Sequence, residues 1–165
     1  MSSIFLIDTS IFLNILNVPN CNQHRKSVLE DYKTYYQSGC TFLLPMATIM
    51  ETGNHIAQNG DGTIRRKTAI RFVEEVKAAF KGEAPWQTTK FPDTTTILDW
   101  IDNFPNLAGQ NKAPDKQEGT SFGDLSIIEE FNKLSQRFPT REIYIWSLDR
   151  DLQNYHHKPT LNIPS

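Results

Sequence analysis

Cysteine is scarce in this chain, with only Cys21 and Cys40 present. Their separation fits neither a zinc site nor a disulfide framework, so both read as reduced, structural residues. Long apolar runs are missing too, and none approaches the ~20 residues that a membrane-spanning helix needs. The first apolar stretch has no basic leader and is interrupted by Asp8, which argues against a signal peptide. The expectation is cytoplasmic residence with no membrane association. Nor is there an excess of charge of either sign, since 17 Lys and Arg face 19 Asp and Glu for a net charge of -2. Such a balance draws in no nucleic acid globally, so a partner of that kind must be held by a local patch.

What remains is the composition of an ordinary packed fold. At 38% hydrophobic and 22% charged, the chain is neither disordered nor collagen-like. Its 165 residues match one domain, and no repeat or linker divides them, so 1–165 is read as a single unit. Short apolar runs alternate with helical periodicities, the pattern of an α/β fold with a central parallel sheet flanked by helices. Ser3 to Ile7 reads as a buried strand, followed by a helix near Ile11. A helix spans residues 22–38, then a strand Thr41 to Leu44 ends at Pro45. Helices follow over 46–56 and 63–80, the second stopped by Gly82. Trp86 to Lys90 fits either an edge strand or an ordered loop. Asp93 caps a short helix through Phe104, and 105–119 reads as a polar, mobile loop. Thr120 or Ser121 caps the next helix, with Leu125, Ile128, Phe131 and Leu134 on its core face. EIYIWSLD then repeats the opening pattern, and the chain trails off through HHKPTLNIPS.

Two strands therefore end in an aspartate, Asp8 and Asp149. In open parallel sheets, ligands sit beyond the carboxyl ends of the strands. Glu51, after the second strand, and Asp124, in the first turn of its helix, are placed to aim at the same crevice. Four carboxylates cannot all stay ionised together unless cations neutralise them, and hard oxygen donors suit Mg²⁺ or Mn²⁺.

The stretches IFLIDTSIF, ATIMETGNHI, GTSFGDLSII and IYIWSLDRDL resemble, in order and in sheet position, the acidic motifs of PIN-domain ribonucleases. The resemblance spans nearly the whole chain. It implies a metal-dependent endoribonuclease in which Asp8, Glu51, Asp124 and Asp149 are the catalytic acids and hold one or two Mg²⁺ or Mn²⁺ ions. Thr9, Ser10 and Ser147 match hydroxyl residues that orient the acids. The compact members of the family are toxins of toxin–antitoxin pairs, which implies an RNA substrate, a cognate antitoxin and a homodimer. An RNA-processing or phage-defence nuclease fits the same residues. The segment around 82–119 is longer than in the compact toxins and reads as an insertion.

Each residue also has a plainer reading. Asp124 could complete a capping box with Ser121, and Asp149 and Asp151 could pair locally with Arg150 in a turn. Glu51 would lose its claim if it faced solvent. Asp8, between two apolar runs, is the hardest to explain away. His55 lies one helical turn beyond Glu51 but reads as a surface histidine, and His156 and His157 read as solvated. Arg65, Arg66, Lys67 and Arg71 could contact RNA phosphates, or form a solvated face balanced by Glu74 and Glu75. Trp86, Phe91 and Trp100 read as core. Two other functions compete: a non-catalytic PIN-like module that binds RNA or protein, and an aspartyl-phosphate phosphatase. The phosphatase wants a second Asp two residues after the first, where Ser10 stands.

Overall fold

A computed structural model describes residues 2–159. In chain order the elements are β1 (Ile4–Ile7), α1 (Thr9–Ile15), α2 (Arg25–Gln37), β2 (Thr41–Leu44), α3 (Met46–Ala57), α4 (Gly62–Lys81), β3 (Trp86–Thr88), α5 (Thr94–Ala108), α6 (Phe122–Arg137), β4 (Ile143–Trp146), α7 (Arg150–Gln153) and β5 (His156–His157). The strands form one sheet in the order β3-β2-β1-β4-β5. All pairings are parallel except β4 with β5. The architecture is thus α/β, a mostly parallel sheet flanked by helices, as the alternating pattern implies. No described helix is long and apolar enough to cross a membrane.

The apolar strands serve two cores because side chains alternate across a sheet. Phe5, Ile7, Phe42, Leu44 and Trp146 face a cluster with Phe12 and Val28. Ile4, Leu6, Ile143 and Ile145 face the opposite cluster with Ile127, Ile128 and Phe131. Leu6, Ile7, Ile143 and Ile145 are all 0% exposed, and fully burying such a side chain contributes ~1.5–3 kcal/mol. Both cysteines are free and half-buried.

Helix boundaries follow local chemistry. Asp8 caps α1, Asp61 caps α4 by accepting from Thr63 and Ile64 N–H at 2.8 and 3.0 Å, and Ser121 rather than Thr120 caps α6. Gly82 stops α4 in the left-handed region, φ 72°, where a side chain would be strained.

Three sequence expectations are resolved or corrected. Residues 86–88 are an edge strand, β3, paired with β2, so part of the 82–119 segment belongs to the sheet. Helix α5 does not stop at Phe104 but runs through Pro105 to Ala108. Proline inside a helix removes a backbone donor and crowds the carbonyl four residues earlier, and tertiary contacts hold this last turn. The Phe104 and Phe122 rings meet edge to face at 5.3 Å, and Thr120 N–H donates to the Leu107 carbonyl at 3.2 Å. Finally, His156 and His157 form β5 against β4, and His156 Nε2 lies 2.7 Å from Glu142 Oε1. The end of the expected tail, 160–165, lies outside the described residues.

On α6, Glu130 Oε1 accepts a hydrogen bond from the Thr89 hydroxyl at 3.1 Å, while Oε2 is buried without a partner. Burial pushes this carboxyl up to about 7, with Thr89 and Lys133 only partly opposing it. A carboxyl raised in the folded state favours folding below its ordinary pKa, and that contribution is lost as pH rises through the folded value. Glu130→Gln should therefore gain stability over the parent by roughly 1–3 kcal/mol between about pH 5 and about pH 8. Urea denaturation across that range checks it, and parallel pH curves for both proteins would refute it.

Candidate functional site

Strand β1 is the topological switch point, with β2 on one side and β4 on the other. The crevice beyond the carboxyl ends of β1 and β4 is therefore the expected ligand position. Asp8 and Asp149 stand at its two edges, because Ile7 pairs with Trp146 and Asp8 N–H donates to the Trp146 carbonyl at 3.0 Å.

Asp8 is 5% exposed and its charge is met by hydroxyls. Ser10 and Ser147 Oγ each donate to Asp8 Oδ2 at 2.7 Å. The same hydroxyls accept from the next turn: Leu148 N–H donates to Ser10 Oγ at 3.0 Å, and Asp149 N–H to Ser147 Oγ at 2.9 Å. The two strand ends are thereby laced together. From α3, Glu51 reaches the site as Thr9 Oγ1 donates to its Oε2 at 2.9 Å. Thus Thr9, Ser10 and Ser147 each hydrogen-bond one of the acids.

Asp124, in the first turn of α6, completes the group. Its N–H donates to Ser121 Oγ at 3.1 Å, so the cap is made by Ser121 and the Asp124 backbone. Burial, then the charges of Asp8 and Glu51, push the Asp124 carboxyl up to about 6, against a smaller opposing effect of Lys112. Asp8, Glu51 and Asp124 therefore share one electrostatic environment.

Gly123 explains how Glu51 fits against α6. A Cβ there would lie 1.9 Å from Glu51 Oε1, so the missing side chain is the space the carboxylate occupies. Sequence reasoning overlooked Gly123, although a glycine inside a helix is itself a signal.

Asp149 has a different environment. Lys116 Nζ lies 3.4 Å from Asp149 Oδ1 and 2.8 Å from Asp151 Oδ2, and Lys112 Nζ lies 3.8 Å from Asp149 Oδ2. Burial alone would raise the Asp149 carboxyl, but the Asp151 N–H and the two ammonium groups hold it below the ordinary range. Neither lysine was foreseen, because nothing in a polar loop of 109–119 marks which charge folds inward.

The other sequence candidates are elsewhere or otherwise engaged. Arg65 donates to the Asn59 carbonyl, and Arg71 donates to the Asn17 carbonyl at 3.2 Å. Arg66, Lys67 and His55 are exposed. Trp86 and Trp100 are buried as expected, but Phe91 is 66% exposed and lines an apolar groove of about 410 Å³ that also touches Met50, Phe122 and Glu51. A second cavity, about 330 Å³ and more polar, lies beside Asp124 and Lys112.

The implied Mg²⁺ or Mn²⁺ can be tested against these residues. The donor set fits: carboxylate oxygens suit a hard divalent ion, and Asp124 is raised first by burial and then by the negative charges of Asp8 and Glu51, which a cation would offset. Among the described residues, however, no three acidic, histidine or cysteine side chains are drawn together closely enough to enclose an ion. Comparison with protein-family models, curated proteins and solved structures found no match.

Two variants probe this arrangement. Because ionised Asp124 is disfavoured by folding, its cost grows as pH rises from its ordinary 3.8 through about 6. Asp124→Asn should then stabilise the metal-free protein at neutral pH by about 1 kcal/mol, after allowing for solvent screening of a partly exposed group. Equal or lower stability in denaturant titrations would contradict the repulsion. Gly123→Ala should keep or raise the melting temperature, since alanine in a helix is worth ~0.5–1 kcal/mol over glycine. Its crystal structure should show Glu51 swung away from Thr9, and an unmoved Glu51 would refute the cradle.

Proposed function

We propose that this chain is a PIN-like, metal-dependent endoribonuclease that hydrolyses RNA phosphodiester bonds. One observation carries the reading: at the switch point of a parallel sheet Asp8 is held by Ser10 and Ser147 and Glu51 by Thr9, and burial followed by the charges of both raises the Asp124 carboxyl. Structural carboxylates are normally paired with cations, and these three have no Lys, Arg or His ion pair among the described residues.

Asp8, Glu51 and Asp124 would hold Mg²⁺ or Mn²⁺, one or two ions, with Asp149 at the margin. When bound, such a cation supplies a water of lowered pKa and charge neutralisation at the phosphate oxygens. The chain's own residues orient the reaction. Ser10 and Ser147 donate to Asp8 Oδ2 and so orient its carboxylate. Thr9 likewise donates to Glu51 Oε2, while Oε1 rests against Gly123. No nucleophilic side chain is required.

The toxin of a toxin–antitoxin pair, with a cognate antitoxin and a homodimeric, cytoplasmic state, is the biological setting we favour. A non-catalytic RNA- or protein-binding module is the second reading, supported by the lysines already paired with Asp149. A phosphatase is disfavoured because Ser10, where that chemistry wants an acid, is committed to Asp8.

Purified protein should cleave RNA with Mg²⁺ or Mn²⁺ and stop when EDTA is added. Asp8→Asn should lose at least about 100-fold in rate, the scale of removing a principal charge-stabilising group, while keeping its far-UV circular dichroism. Wild-type rates in that variant would sink the site, and a folded parent that binds RNA without cleaving it would favour the binding module.

A further inference from the structure

Loop 109–119 is closed at its neck and built inside. A Cβ on Gly119 would lie 2.1 Å from the Ala108 carbonyl oxygen, so only glycine permits that approach. Within the loop, Lys112 N–H donates to the Glu118 carbonyl at 3.0 Å, and Lys116 N–H donates to the Ala113 carbonyl at 3.1 Å. This framework points both lysine side chains at the acids. Lys112 and Lys116 supply all the ion pairs that the four candidate acids make among the described residues. Their side chains are 15% and 34% exposed, so part of each can still meet a ligand.

Partly exposed lysine–carboxylate pairs contribute little stability. Lys112 is held first by Glu118 of the same loop at 2.8 Å and Lys116 by Asp151 at 2.8 Å, with Asp149 a longer second contact of both ammonium groups, at 3.8 and 3.4 Å. They do meet a need of the substrate. RNA is a polyanion, and a site of converging carboxylates repels it unless fixed positive charge lies alongside. Lys112 sits at that junction: it pairs with Glu118 and more loosely with Asp149, and it lines the polar cavity that Asp124 also lines. Its 3.8 Å separation from Asp149 is loose enough for a phosphate oxygen to compete.

We infer that loop 109–119 is the substrate-binding arm of the site, with Lys112 and Lys116 contacting RNA phosphates next to the scissile bond and Glu118, Asp149 and Asp151 acting as positioning residues that hold the ammonium groups in place. This rests on the ribonuclease reading and adds to it the residues that receive the substrate. A lysine ammonium is a compact, mobile point charge, suited to following a phosphate from a carboxylate partner.

The test is binding of fluorescein-labelled single-stranded RNA to the full chain in Ca²⁺ buffer, by anisotropy, across a potassium chloride series. Each phosphate contact contributes about 0.7 to the slope of log affinity against log salt for single strands. The Lys112→Ala/Lys116→Ala protein should therefore lose about 1.4 from that slope and bind more weakly at low salt. Lys112→Arg/Lys116→Arg should restore the slope, which also separates lost charge from a damaged loop. An unchanged slope, in proteins that still cleave RNA, overturns this inference and leaves the ribonuclease reading standing. Tighter binding with faster cleavage in the alanine protein also overturns it, making the lysines internal counter-ions of the acids. If the parent neither binds nor cleaves RNA, both readings fall together.

Discussion

Burying the Asp8 side chain to 5% exposure is the constraint on which the site rests. A carboxylate withdrawn from water must recover its hydration from fixed donors. Here the donors are Ser10 on the helix that Asp8 itself caps and Ser147 at the end of the neighbouring strand. The pairing of β1 with β4 is therefore more than a scaffold. A one-residue slip would turn the alternating strand side chains to the wrong faces and remove Ser147 from Asp8. Core packing and site geometry depend on the same register.

From that anchor the site divides by charge. Asp8, Glu51 and Asp124 form a group whose negative charge is answered by hydroxyls and backbone, and burial, followed by the charges of Asp8 and Glu51, raises Asp124 to about 6. Asp149 and Asp151 form a second group, answered by Lys112 and Lys116. The first has the chemistry to attract a cation. The second already has its positive charge, delivered by a loop. Such a division suits a reaction in which a metal and a polyanion must both be accommodated within one crevice.

Two glycines set how closely the parts approach. Gly123 leaves room for the Glu51 carboxylate against α6, and Gly119 lets loop 109–119 return onto the end of α5. In each case a missing Cβ allows backbone from one element to accept atoms from another, the role glycine fills where close approach is required. The neck at Gly119 also accounts for the persistence of α5 past Pro105, since the returning chain supplies the Thr120 N–H to Leu107.

The sequence by itself determined the α/β class, most element positions and the acids at the ends of β1 and β4, because each is written in local terms. Apolar runs of strand length, capping residues such as Asp93 and Ser121, and stops such as Gly82 need no knowledge of distant chain. Asp8 stood out for the same reason, a charge between two apolar runs. Tertiary structure alone decided that Ser147 meets Asp8, that Glu51 rests on Gly123, and that Arg65 and Arg71 bond to backbone carbonyls. It also decided that residues 156 and 157 pair with β4 as an edge strand while His156 stays exposed. Above all it selected Lys112 and Lys116 from a polar loop. Their direction depends on a neck at Gly119 and on partners more than 30 positions away, and a long-range electrostatic match of that kind leaves no periodicity in the sequence to read.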